Sequence, residues 1–192
     1  MNNPEYVKIG IEKYKINTDF RVAIECNSIA MREDIGEYEK SLAIIYRLFG
    51  DKGLNDFDNH IKLLELGQRY LNLDKDFEND REEPDMDFKQ DASYIRASFM
   101  SDYHIDLSNT KMHWWTFYNL INGLSDSELG NCCVLNKIRN LRNIDIKEIK
   151  DKKEQEKIIK AQKRVALKKK QNALTEEEKE NVLNLYKLMK GE

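Results

Sequence analysis

"KMHWWTFYNLINGL", residues 111–124, sets the only two tryptophans of the chain side by side. At 100° of turn per helical residue, Trp114, Phe117, Tyr118, Ile121 and Leu124 fall on one face. Apolar residues at that spacing mark an amphipathic helix with a buried side. Trp115 falls on the flank, beside Asn119 and Asn122. The two indoles therefore have different expected jobs. Trp114 anchors a core; Trp115 covers a seam or stays partly exposed, where it is available to another protein, as aromatic residues at interfaces often are. A ligand platform needs converging polar groups, and the sequence specifies none.

Similar helical stripes run outward from this segment. Upstream, "VKIGIEKYKI" (7–16) alternates apolar and polar residues around Gly10 and reads as a short strand or small hairpin. Asn17 or Thr18 then offers a helix cap. The helix behind it carries Phe20, Ala23, Ile24 and Met31 on one side and should stop near Gly36. A second helix is expected from about Tyr38 to Phe49, closed by Gly50, with Leu42, Ile45 and Phe49 inward. A third runs from about Asp56 to Leu73, with Phe57, Ile61, Leu64 and Tyr70 spaced for one face. Residues 91–103 resume helix, with Ala92, Ile95 and Phe99 inward.

Downstream, a helix follows Ser125 or Asp126, and another spans about Lys150 to Leu167 with Ile158, Ala161 and Val165 facing in. The last, "TEEEKENVLNLYKLMK", opens with a capping box of Thr175 and Glu178. Val182, Leu185, Tyr186 and Met189 form its apolar stripe, which must dock on the chain's own core or on a partner. The expected fold is mainly α: a compact multi-helix domain over 1–167, with a short N-terminal strand or hairpin. A lysine-rich linker and amphipathic helix follow over 168–192. Two Pro and eight Gly in 192 residues suit long helices better than a sandwich or barrel.

Charge is unevenly distributed. Residues 137–170 hold 14 basic and 5 acidic groups; the other residues hold 18 and 30. A basic stretch of this kind raises nucleic-acid binding as a reading. Interspersed acids and the absence of interleaved aromatics favour an exposed helix face with local ion pairs, or an acidic protein partner. Residues 74–91 hold 9 acids against 3 bases and imitate a calcium loop. Position six is Asn79 rather than Gly, and position twelve is Asp85 rather than Glu. A solvated acidic linker is the expectation there.

Three cysteines, two of them adjacent, do not make a disulfide framework and suggest a reduced cytosolic chain. "MNNPEYVKIG" has no apolar signal core, and no run approaches a membrane span, so neither secretion by that route nor a membrane association is expected. His60, His104 and His113 are isolated, with no nucleophile motif, metal-ligand spacing or phosphate-binding glycine loop nearby. No catalytic residue, metal or cofactor is expected.

The order of landmarks carries more. "INTDFRVAIE" (16–25), "LAIIYRLFG" (42–50), "DFKQDASYIRASF" (87–99), "IDL" (105–107), "HWWTFYNLINGL" (113–124), a lone Arg139 or Arg142, "IDIKEIKDKKE" (144–154) and "RVAL" (164–167) follow in series. The series resembles the bacteriophage gene-product-fifteen family of long-tailed phages and prophages of Gram-positive bacteria, over roughly residues 14–167. The resemblance implies a tail assembly chaperone that holds the tape measure protein in the cytoplasm of the infected or lysogenic host. It implies no enzymatic role. A permanent tail or connector component is the alternative, and the state of self-association stays open. Asp91, Tyr94, His113, Trp114, Trp115 and Asp151 are landmark positions of the resemblance. Trp115 and the stripe Val182, Leu185, Tyr186 and Met189 are the candidate partner contacts.

Overall fold

The computed structural model describes residues 3–75, 84–126 and 132–168. Two short strands, β1 (Tyr6–Ile9) and β2 (Glu12–Lys15), form an antiparallel hairpin in which Val7 faces Tyr14. Gly10 closes the turn at φ 57°, a conformation that glycine adopts without a Cβ clash. The longer elements that follow among the described residues are helices: α1 (Phe20–Ala30), α2 (Glu37–Leu54), α3 (His60–Leu71), α4 (Ala92–Tyr103), α5 (Trp114–Asn122), α6 (Val134–Asn143) and α7 (Lys152–Val165). The mainly α expectation with an N-terminal hairpin holds.

The first helix is capped by Asp19, not by Asn17 or Thr18. The Asn17 amide donates to the Leu48 carbonyl at 2.7 Å, and the Thr18 carbonyl accepts from the Trp114 amide at 2.8 Å. Both residues are held by tertiary bonds, so capping falls to the next polar side chain. The helix ends at Ala30, short of the expected Gly36, and Met31 is exposed rather than inward. Gly36 instead precedes α2. Within α2, Gly50 breaks helical geometry at φ 65°, ψ −159°, and the chain resumes helix to Leu54.

The third helix is rotated from its expected setting. Leu63, Gly67 and Tyr70 face the core, while Phe57 and Ile61 stand 72% and 77% exposed. Gly67 supplies the reason. A Cβ there would meet Leu48 Cδ1 at 2.9 Å. The missing side chain lets α3 approach α2 closely, and putting Gly67 inward turns Ile61 out.

Two more expectations change. Ala92 is exposed, and Ser98 takes an inward place beside Ile95 and Phe99. The sixth helix begins at Val134 under a Cys133 cap, later than the expected Ser125 or Asp126; residues 127–131 lie outside the described ones. Ile158, Ala161 and Val165 of α7 are half-buried. The expected C-terminal helix with Val182, Leu185, Tyr186 and Met189 lies outside the described residues.

Phe117 of α5 is central to the core. Its ring stacks on Phe20 of α1 at 4.4 Å, on Phe99 of α4 at 5.3 Å and on Trp114 at 5.9 Å. Such aromatic pairs add to the burial of their area. The fifth helix thus ties the N-terminal helices to the C-terminal ones.

Candidate functional site

The two tryptophans do related but unequal things. The indole N–H of Trp114 donates to the Leu71 carbonyl at 2.9 Å; that of Trp115 donates to the Tyr70 carbonyl at 2.8 Å. Both carbonyls belong to the last turn of α3, where helix carbonyls run out of regular i+4 partners; that of Tyr70 also accepts from the Leu73 amide at 3.1 Å. Trp114 is fully enclosed, at 2% exposure. Trp115 is half-buried and stacks beside Tyr70 with ring centres 6.2 Å apart. The pair staples the start of α5 to the end of α3.

His113 is the cap of α5. Its Nδ1 accepts the Trp115 amide at 3.1 Å, and its Nε2 lies 3.0 Å from the Pro4 carbonyl. A ring protonated at Nε2 satisfies both contacts at once. His113 also lies opposite Asp19 in an isolated antiparallel bridge: Phe20 N–H donates to Met112 O at 3.0 Å, and Trp114 N–H to Thr18 O. The caps of two helices thus meet in one short backbone clasp. Arg21 reinforces it, reaching the carbonyls of Leu107 at 2.5 Å and Thr110 at 3.1 Å while pairing with Asp19 at 3.1 Å.

The second half of the acidic segment is not the expected solvated linker. Phe88 meets the Trp114 ring edge-on at 6.1 Å, and Asp91 is fully buried. Arg142 of α6 binds Asp91 through two parallel hydrogen bonds of 2.8 and 2.7 Å. The same guanidinium donates to the carbonyls of Asp85 and Val165, each at 2.7 Å. Donation to the Asp91 carboxylate raises the Arg142 pKa above its ordinary value, against the opposing effect of burial. One cation thus joins the end of the acidic segment, α6 and the end of α7. Tyr94 is half-buried against the core one turn after Asp91. Asp151, between Arg142 and Val165 in sequence, caps α7 by accepting the Glu154 amide at 2.9 Å.

The landmark residues are therefore helix caps, core anchors and one buried ion pair. The calcium-like positions one and twelve are paired otherwise: Asp74 with Arg69 and Asp85 with Arg139. Among the described residues, no group of three His, Cys, Asp or Glu side chains is placed to hold a metal ion, and no helix is long and apolar enough to cross a membrane.

Surface features are of another kind. On α2, Tyr38, Leu42 and Tyr46 recur every four residues and line one outward side, so Leu42 does not take the inward place expected of it beside Ile45 and Phe49. The two tyrosines are 65% and 47% exposed, and Leu42 between them is half-buried. Sequence patterning had drawn attention to Trp115 as the partner contact; its N–H and ring are used within the fold.

No curated protein and no solved structure matches the chain. A family model does. Residues 2–167 match the model described as Bacteriophage Gp15 protein, a span that takes in all of β1 through α7 and every landmark residue. The chain belongs to that family of bacteriophage structural and morphogenesis proteins.

Proposed function

We propose that the chain is a phage tail assembly chaperone, which binds the tape measure protein and keeps it soluble in the host cytoplasm until the tail forms around it. The reading carries no enzymatic step. Its main support is the Tyr38–Leu42–Tyr46 stripe, set on a family member whose inner faces are otherwise filled by its own core. A long helical client presents apolar residues at the same i, i+4 spacing, and helix-in-groove contacts use such stripes. Tyrosine suits the task, because its ring packs against apolar surface while the hydroxyl stays wet. With 35% charged residues, the rest of the surface can keep a complex in solution.

Co-expression with the tape measure protein of the same phage or prophage provides the test. The expected result is a soluble complex that Tyr38→Ser/Tyr46→Ser disrupts without loss of helical circular dichroism. A tape measure protein equally soluble alone ends the reading. Mass spectrometry of purified virions separates it from a permanent tail or connector role, which requires stoichiometric amounts in the particle.

A further inference from the structure

The structure shows where the basic share of the chain faces. On α7, Lys153, Lys157, Lys160 and Arg164 follow at intervals of four, three and four residues. At 100° per residue they lie within about 60° of arc, along about 16 Å of helix, and all four are exposed. The rotation of α7 is fixed from its other side. Gln162 donates to the carbonyls of Leu141 and Ile144 at 3.0 and 2.9 Å, and Ile158, Ala161 and Val165 are half-buried. None of the four cations has an ion-pair partner among the described residues. The outer face of α7 is thus a positive stripe that no carboxylate among the described residues pairs with.

A surface of opposite character stands on α3 and the turn before it. Phe57, Asp58, Ile61 and Glu65 share one side by spacing and are all exposed. Neither carboxylate is in an ion pair among the described residues. Lys62 lies on the flank of this side. Two large apolar groups beside two carboxylates unpaired among the described residues match a row of lysines, whose stems are apolar and whose tips are charged.

We propose that copies of this chain associate head to tail, with the Lys153–Lys157–Lys160–Arg164 stripe of one copy docked on the Phe57–Asp58–Ile61–Glu65 face of the next. The apolar pair forms the dry centre, and the charges set orientation and the rate of encounter. The two patches differ, so each dimer still offers one of each, and growth continues into a ring or an open filament. A nucleic acid is the less fitting occupant. Glu154 and Glu156 border the stripe, no aromatic side chain interrupts it, and the residues outside 137–170 carry 30 acids against 18 bases, which repels a polyanion. The proposal stands apart from the chaperone reading and survives if that one fails.

Light scattering coupled to size exclusion on the full chain tests it, with mass followed against concentration and salt. Mass should rise with concentration at low salt and return to the monomer at about 1 M salt, where charge attraction is screened within a few ångströms. Lys157→Gln/Lys160→Gln and, separately, Ile61→Lys should each remain monomeric over the same range, with unchanged circular dichroism, because all three positions are exposed. Mixed together, the two variants should form a one-to-one dimer and stop, since only one intact pair of patches remains. A wild-type chain monomeric at every concentration overturns the proposal. So does association untouched by either variant, or association that nuclease treatment abolishes.

Discussion

Arg142 and Asp91 are joined by two parallel hydrogen bonds, and only 8% of the arginine side chain and none of the aspartate is exposed. Removing one partner of such a pair strands the other away from water. Asp91→Ala should lower stability by about 3–5 kcal/mol. Arg142→Lys should also be costly, because one ammonium cannot replace the planar fork that serves Asp91, Asp85 and Val165 together. Urea unfolding measures both; a loss below about 1 kcal/mol for Asp91→Ala would show that the pair is dispensable.

Trp114→Ala should cost about 3–5 kcal/mol, the range for emptying a buried aromatic site. Trp115→Ala should cost about half that or less, because the side chain is half-buried and loses one hydrogen bond and one stacked neighbour. Equal shifts in melting temperature would contradict the unequal roles assigned to the two indoles.

Gly50 sits at φ 65°, ψ −159°, in a region that is essentially reserved for glycine. Nothing lies within 4 Å of where its Cβ would stand, so space is not the obstacle. Gly50→Ala should lower stability by about 1–3 kcal/mol through backbone strain alone. Thermal melts decide, and an unchanged melting temperature means that the backbone relaxes at this joint.

Raising the pH should destabilise this protein through groups in its core. Burial pushes the Cys26 thiol up to about 12. Donation to Asp56, followed by burial, pushes Tyr14 up to about 12, and burial raises Tyr70 further. In the unfolded chain a thiol titrates near 8.5 and a phenol near 10. The folded state therefore holds these protons more tightly. Stability is full below about pH 8.5 and falls as pH rises toward about 12. Urea midpoints from pH 7 to 11 should decline across that window, and Cys26→Ala should flatten the first part of the decline. A flat profile would show that these groups ionise without cost.

Periodicity made the α5 stripe legible, because Trp114, Phe117, Ile121 and Leu124 are all buried as their spacing requires. It misplaced Phe57 and Ile61, because the setting of α3 follows from Gly67, whose value is the absence of a side chain facing Leu48. The targets of the two indoles were invisible for a different reason. They are backbone carbonyls, which every residue carries, so no residue type announces them. Arg142 was noted only as one of two lone arginines; nothing local connects it to Asp91, 51 positions earlier. The acidity of 74–91 concealed a segment whose later half is structural, since Phe88 and Asp91 are outnumbered there by other charged residues. The exposed tyrosines of α2 carry no motif, and they emerged only once the helix had been oriented.

The clasp between Asp19 and His113 also bears on how the chain is made. It joins two helix starts separated by more than ninety residues, so the first helix waits for its backbone partner while most of the domain is synthesised. Ribosomes add roughly 5–20 residues per second, which leaves Phe20 without its stacking partner Phe117 for several seconds. Closing so long a loop is slow, though its thermodynamic penalty grows only gently with length. The N-terminal helices of the nascent chain are accordingly a sticky, half-finished shell, and α5 is the piece whose arrival shuts it.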